Sequence, residues 1–481
     1  MGVLRYSGRD ELLAGFPGKA EEDPAALYGI AQVPDAGDGP WEAPVADAPL
    51  DARLTLPGSK SLTNRELVLA ALAEGPSVIH RPLHSRDTEL MVEGLRNLGV
   101  GVEEVPGDGE FGPDLRITPG ELLGGSIDGG LAGTVMRFLP IVAALALGPT
   151  SVDGDPYARK RPMRTTIEAL RGLGVEVNDD GRGTMPFTVH GTGAVRGGEL
   201  AIDASASSQF VSGLLLAAPR FAEGLTLRHT GERLPSLPHI RMTTACLAAR
   251  GVVVEEPEPG VWVVAPQPIR ALDVTIEPDL SNAAPFLAAA LLAGGTVTIG
   301  GWPAETTQVG DELLRILPRL GATITREGDA VTIDGGAGVR SGGGIRAVDL
   351  DLTIGGELAP TIATLLAFAD GPSTVSGIGH LRGHETDRLT ALATELGRLG
   401  GEVVEHAESL EIRPRALHGG AWEAYADHRM ATSGALAGLV VPGVTVDDIR
   451  TTAKTLPEFP ELWQRMLARG STSTHWEPLP L

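Results

Sequence analysis
The sequence predicts an α/β fold made of six copies of one strand–helix–strand–helix–strand unit, and three observations predict it. An Ala/Leu-rich helical stretch, a stopping glycine and a β-branched strand recur at 66–74, 133–147, 208–223, 282–293, 358–370 and 428–440. The glycines that end or follow these stretches, Gly75, Gly148, Gly224, Gly295, Gly371 and Gly443, stand 73, 76, 71, 76 and 72 residues apart. A period that even is the mark of a repeat architecture. Between them runs a second helix with its own glycine stop and strand, at 91–100, 166–177, 242–254, 313–324 and 389–403. Six units divide most simply into two similar domains of three, and the charged run Ile276-Glu277-Pro278-Asp279 sits midway as a crossing point.

Residues 1–46 precede the repeats. They are rich in Asp, Glu, Gly, Pro and Ala without sustained periodicity, which predicts an acidic, loosely ordered extension. Then comes Leu56-Pro57-Gly58-Ser59-Lys60-Ser61-Leu62-Thr63-Asn64-Arg65, where a strand ends, a Pro-Gly corner turns the chain and a helix begins. Ser59, Ser61 or Thr63 is available as its cap, and Thr63 has capping-box spacing to Glu66. Lys60 and Arg65 therefore flank a helix start, whose free N–H groups and positive dipole end favour an anion. Ser61 and Arg65, four apart, share one face. A solvated basic turn is the plainer alternative.

The later helix starts repeat this theme. Gly133-Thr134-Val135-Met136-Arg137 begins with a glycine that lets backbone come close to a ligand. Arg161-Pro162-Met163-Arg164 puts proline at a first helical position and leaves the forked Arg161 guanidinium at the entry. Ser207-Ser208-Gln209 opens another helix with two hydroxyls and an amide, and Ser236-Leu237-Pro238-His239 is a loop of similar character. Asp279 and Ser281, Glu357, and Asp427-His428-Arg429 mark the helix starts that follow. The densest charged cluster is His384-Glu385-Thr386-Asp387-Arg388, in which Glu385 and Arg388 have the spacing of a plain helix-face ion pair. Lys454 lies in Thr451-Thr452-Ala453-Lys454-Thr455. If equivalent helices pack in parallel, these ends face one cleft able to hold a multiply anionic ligand. Ordinary capping accounts for the Ser and Asp residues, but not for Lys60, Arg137, Arg161 and Arg429.

Composition bounds the partners. The 481 residues are 42% hydrophobic and 4% aromatic, with 64 Gly and 36 Pro, as suits a globular protein with many tight turns. A net charge of −23 disfavours nucleic acid and anionic membranes. The single cysteine, Cys246, excludes an internal disulfide framework, and its apolar helical setting reads as an inert core thiol. No histidine pair has zinc-ligand spacing. Residues 1–13 carry charges where a secretory signal would be apolar, and the longest apolar run, 139–147, is too short to span a bilayer. The cytoplasm is the expected compartment.

Assembled in order, these motifs resemble the 5-enolpyruvylshikimate-3-phosphate synthases. The resemblance rests on Leu-Pro-Gly-Ser-Lys-Ser-x-x-Asn-Arg (56–65), Ala-Gly-Thr-x-Met-Arg (132–137), Arg-Pro-Met (161–163) and Ser-Ser-Gln-Phe (207–210). Glu-Thr-Asp-Arg-Leu (385–389), Asp-His-Arg-Met-Ala (427–431) and Thr-Ala-Lys-Thr (452–455) complete it. It implies an inside-out arrangement: two domains of three repeats, helices inside and sheets outside, joined by two chain crossings. One domain would comprise 47–59 plus 279–481, the other 60–278, with the site in the cleft between them. It also implies transfer of the enolpyruvyl group of phosphoenolpyruvate to the 5-hydroxyl of shikimate 3-phosphate, without metal or organic cofactor, by a monomer. By the same resemblance Ser207, Ser208, Gln209 and Ser236 hold shikimate 3-phosphate with Lys60, Ser61 and Arg65. Lys60, Gly133, Arg161, Gln209, Arg388, Arg429 and Lys454 hold phosphoenolpyruvate, and Arg137 stands among them. Glu357 is the general base, and Glu385 is an acid/base partner of Lys60 or Lys454 or orients them. An unsubstituted Gly133 implies competition by glyphosate.

The chain departs from the commoner family pattern. Glu357 stands for a usual Asp and reaches one methylene further. His384 replaces a usual Lys, which makes one substrate contact titratable near neutrality. His239 replaces Tyr, His380 and Leu131 replace Asn, and Phe138 replaces Pro. Two other readings compete. A UDP-N-acetylglucosamine enolpyruvyl transferase commonly carries a mobile-loop cysteine, which Cys246 does not fit. A catalytically silent anion-binding repeat protein has no need of Lys60, Arg137, Glu357, Glu385 and Lys454 together.

Overall fold
Each repeat folds around a helix buried on nearly every face, including polar side chains such as Asn64, Arg65 and Glu66 in the first and His428 and Ser433 in the last. Lys60–Ala71, Gly133–Ala143 and Gln209–Ala217 are such helices, and the three pack on one another. Ala284–Ala293, Ala359–Leu366 and His428–Gly438 form a second trio in the same way. The computed structural model describes residues 39–107 and 109–468. In five units the second helix is amphipathic and half exposed: Arg86–Asn97, Arg164–Gly172, Leu237–Ala249, Leu313–Leu320 and Arg388–Arg398. One more helix, Phe459–Leu467, packs on strand Leu50–Leu54.

Among the described residues six sheets accompany the helices. In the sheet of Ser126–Asp128, Leu147–Asp153, Glu176–Asn178 and Phe187–Thr192, the strands on either side of the apolar helix run parallel. The hairpin after the second helix adds two antiparallel strands. Five sheets share this order, so each of those five units carries one strand more than its sequence pattern displays. The extra strand is the second of that hairpin, as in Phe187–Thr192 and Val261–Val264, and it follows another strand directly with no helix before it to announce it.

The sixth sheet has three strands, and one comes from the start of the chain. Trp41–Glu42 pairs antiparallel with Val444–Val446, and Ala43 and Ala46 are buried behind it. This corrects the expectation for the end of the acidic extension. Small apolar side chains at 43 and 46 fit against helix His428–Gly438, where Gly438 leaves room for Ala43. The rest of that extension, 1–38, lies outside the described residues.

Two chain crossings lie side by side. Strand Leu50–Leu54 joins the sheet of Gly295–Ile299, while Val274–Thr275 joins that of Ser77–His80. Between them the Ser59 amide donates to the Glu277 carbonyl at 2.8 Å, and the Asp279 amide to the Pro57 carbonyl at 2.9 Å. Gly58 faces the Arg81 carbonyl so closely that a Cβ would collide with it, hence the glycine. The first helix begins at Lys60 with Ser59 as cap, accepting from the Leu62 amide. Thr63 is not the cap; its hydroxyl accepts from the Leu83 amide at 3.0 Å. Pro162 likewise falls before its helix, which starts at Arg164. Among the described residues no helix is long and apolar enough to cross a membrane.

Candidate active site
The apolar helices of both trios point their N-termini at one cleft. Lys60, Ser61, Gly133, Arg137, Arg161, Ser207, Ser208, Gln209 and Ser236 line it from residues 60–278. Glu357, His384, Glu385, Arg388 and Arg429 line it from the later part of the chain. Lys454 is buried at its edge, where Nζ donates to the Leu131 carbonyl at 3.2 Å and pairs with Glu385.

Arg65 is the exception. It is fully buried behind the cleft, with Nε donating to Thr243, Nη1 to the Ser61 carbonyl and Nη2 to the His239 carbonyl, at 2.8, 2.8 and 3.0 Å. Burial pushes its pKa down to about 10. Arg65 thus shapes the backbone that bears Ser61 and His239 and presents no free donor to a ligand in the cleft. Its place explains why: spacing to Ser61 fixes a face, and from Thr63 onward every face of this helix is covered.

The cations differ in how far they are committed. Lys60 Nζ donates to Asp87 at 3.2 Å, and its backbone amide donates to Asp279 at 3.1 Å. Arg161 Nη1 donates to the Leu131 carbonyl, and Arg429 Nη1 to the Ser281 carbonyl. The Nε atoms of Arg137 and Arg161 and Oε1 of Gln209 are buried without a hydrogen-bond partner. Buried donors in that condition are costly unless a ligand meets them. Burial, then the neighbouring Arg161, pushes the Arg137 pKa well down, so an anion here would relieve repulsion as well as desolvation.

Two carboxylates sit among these cations. Burial would raise the Glu385 carboxyl, but Lys454, Arg388 and Arg161 outweigh it and hold it well below the usual range. Burial likewise opposes ionisation of Glu357. A hydrogen bond from His239 at 3.0 Å, the charges of His239 and Arg429, and the Ser281 hydroxyl outweigh it. Both remain anionic at neutral pH. Arg388 binds Glu385 through Nη2 at 3.1 Å and lies 3.4 Å from Nδ1 of His384. Burial and Arg388 drive the His384 pKa well below the ordinary imidazole value. This corrects the expectation that His384 titrates near neutrality, since desolvation beside an arginine keeps it neutral.

Two residues escaped the sequence reading. Asp87 is buried beneath Lys60, and its only signal was a polar helix start of the same kind as the others. Gln308 clamps the second crossing, accepting from the Leu280 amide and donating to the Pro278 carbonyl and to Glu277, and no pattern marks it. Ser236 is left-handed at φ 53° just before helix Leu237–Ala249, and backbone strain of this kind gathers at functional sites.

Known proteins are similar to this chain in sequence and in fold. A profile of the family described as EPSP synthase (3-phosphoshikimate 1-carboxyvinyltransferase) matches residues 45–463. A 3-phosphoshikimate 1-carboxyvinyltransferase of Kocuria rhizophila is 55% identical over 439 residues, 90% of this chain and 97% of the relative. In structure the chain is similar to EPSP synthase from Acinetobacter baumannii, with a TM-score of 0.71 at 23% identity over 89% of this chain and 97% of that one. It is similar also to the enolpyruvyl transferase NikO from Streptomyces tendae, with a TM-score of 0.69 at 19% identity over 89% and 97% of the two chains. The structural likenesses concern the fold; the profile and the Kocuria relative go further, and by them this chain belongs to the EPSP synthase family.

Proposed function
We propose that the chain transfers the enolpyruvyl group of phosphoenolpyruvate to the 5-hydroxyl of shikimate 3-phosphate and releases phosphate. The observation that carries this reading is the convergence of Lys60, Arg137, Arg161, Arg388, Arg429 and Lys454 on one cleft that also holds Glu357. In this reading Ser207, Ser208, Gln209 and Ser236 take shikimate 3-phosphate together with Lys60 and Ser61. Lys60, Gly133, Arg161, Gln209, Arg388, Arg429 and Lys454 take the carboxylate and phosphate of the second substrate, through forked or point-charge contacts.

The chemistry follows from that placement. Glu357, anionic and acceptor-only, takes the proton of the 5-hydroxyl as its oxygen bonds to C2 of phosphoenolpyruvate. The methylene carbon gains a proton from the Lys454–Glu385 pair, giving a tetrahedral intermediate whose negative charge the arginines stabilise. Loss of a methyl proton to the same pair and of phosphate restores the double bond. The parts 47–59 plus 279–481 and 60–278 act as two domains closing over the substrates and excluding water. The reading includes a monomeric, cytoplasmic enzyme.

The buried Cys246, with its thiol pushed well up by burial and by Glu66, speaks against the UDP-N-acetylglucosamine alternative. The test is to mix the protein with both substrates, follow phosphate release and weigh the product. Phosphate without the enolpyruvyl adduct, or no phosphate at all, overturns the reading.

A further inference from the structure
Glu357 is held from two sides. Its Oε1 is bound by the hydroxyl of Ser281, and its Oε2 lies 3.0 Å from Nε2 of His239, 118 residues away in sequence on the opposite wall of the cleft. An ionised carboxylate can only accept, so the proton between them sits on Nε2 of His239. His239 is itself anchored with unusual density. Its carbonyl accepts from Arg65 Nη2 at 3.0 Å, Thr243 Oγ1 at 2.9 Å and Ser212 Oγ at 3.4 Å. All three donors are buried. On the Glu357 side, the ring of His380 packs on the neighbouring Gly356, where a Cβ would come within 2.5 Å of it.

We propose that His239 is the positioning residue of Glu357: its Nε2–H, carried on a rigidly held helix start across the cleft, fixes the carboxylate that accepts the hydroxyl proton. This rests on the reaction proposed above. Each carboxylate oxygen keeps a second lone pair for the substrate hydroxyl, so the bond to His239 does not block the transfer. The proton passes from the 5-hydroxyl to Glu357, the oxygen forms its bond to C2, and His239 gains and loses nothing. Arg65, Thr243 and Ser212 thereby serve the reaction at two removes, and the base is complete only when the two walls are together.

The test is steady-state kinetics by phosphate release, with each substrate varied in turn. His239→Phe, a ring without a donor, is expected to lower kcat by about 10- to 100-fold, the scale on which misplaced groups slow a reaction. The KM for phosphoenolpyruvate stays unchanged. His239→Gln places an amide N–H near the same point and is expected to recover most of the rate. His239→Asn, too short to reach, behaves like His239→Phe and replaces it if that variant fails to fold. The double variant with Glu357→Gln is expected to be no slower than Glu357→Gln alone, because no carboxylate remains to be positioned. Multiplying losses in the double variant, or a raised KM for shikimate 3-phosphate with kcat intact, would overturn the assignment and make His239 a substrate contact. Absence of turnover by the unaltered chain appears before any substitution and sinks the reaction and this assignment together.

Discussion

Arg388 meets Asp427 fork to fork, Nε and Nη2 donating to the two carboxylate oxygens at 2.8 and 3.1 Å with both side chains buried. The geometry is bidentate, and Lys could not reproduce it. Asp427 also accepts from the Arg429 amide at 2.8 Å, so one carboxylate orients two arginines of the cleft. Asp427→Asn is expected to destabilise the protein by about 1.5–3 kcal/mol, the usual cost of losing a hydrogen bond to a charged group, since Arg388 keeps Glu385 as a partner. It also weakens phosphoenolpyruvate binding. Urea unfolding and the KM for that substrate check the two halves of the expectation.

Lys60 reaches the cleft from the crossing itself and leans on the buried Asp87. Lys60→Ala should raise the KM for both substrates, because in the proposed reaction its ammonium takes both anions. A change confined to one substrate contradicts that bridging place. Some loss of thermal stability accompanies it, since Asp87 is left without its cation.

Glu357→Gln keeps size and shape and removes the charge. Turnover is expected to fall by about 10²- to 10⁴-fold, the range of a lost general base, with binding of either substrate little changed. Equal losses in kcat and in substrate affinity would assign Glu357 to binding.

A methyl group at position 133 would lie 2.9 Å from Gln209 Oε1 and 3.3 Å from Arg137 Nη1. Both neighbours are side-chain ends able to shift, so Gly133→Ala is expected to fold normally and to bind phosphoenolpyruvate several-fold more weakly. Glyphosate is expected to compete with phosphoenolpyruvate in the unaltered protein and to lose affinity in the variant. Inhibition assays at varied phosphoenolpyruvate decide both points; full activity of the unaltered protein in millimolar inhibitor refutes the first.

Glu458 carries the pH prediction. Burial, then the charge of Glu461, raises its pKa to about 7, and its Oε2 has no hydrogen-bond partner. A carboxyl raised in this way holds its proton longer in the folded state than in the unfolded one. Its stabilising effect is whole below the ordinary carboxylate range and is lost as pH rises through about 7. Thermal melts should therefore show Glu458→Gln gaining on the parent between pH 5 and 8. Parallel curves would place that titration elsewhere.

The repeat was legible because glycine stops and Ala/Leu runs mark every unit; Gly148, Gly224, Gly295 and Gly443 have the positive φ their positions call for. The cations of the cleft were legible because helix starts are readable in sequence. What lay hidden depends on three dimensions. Arg65 looked identical to a ligand-binding arginine until its helix proved covered on every face from Thr63 onward. The pairing of His239 with Glu357 joins residues whose separation of 118 carries no periodic signal. His384 looked like a switch by residue type, and burial beside Arg388 decides otherwise.

Trp41–Glu42 finds its partner strand only at Val444–Val446, and Leu50–Leu54 only at Gly295–Ile299. On a ribosome both strands emerge early and wait, while the segment from Lys60 to Thr275 has its own strands within reach and is free to consolidate first. Synthesis thus dictates an order of assembly: the segment from Lys60 to Thr275 settles first, and the earlier strands are sewn in only when Gly295–Ile299 and then Val444–Val446 emerge.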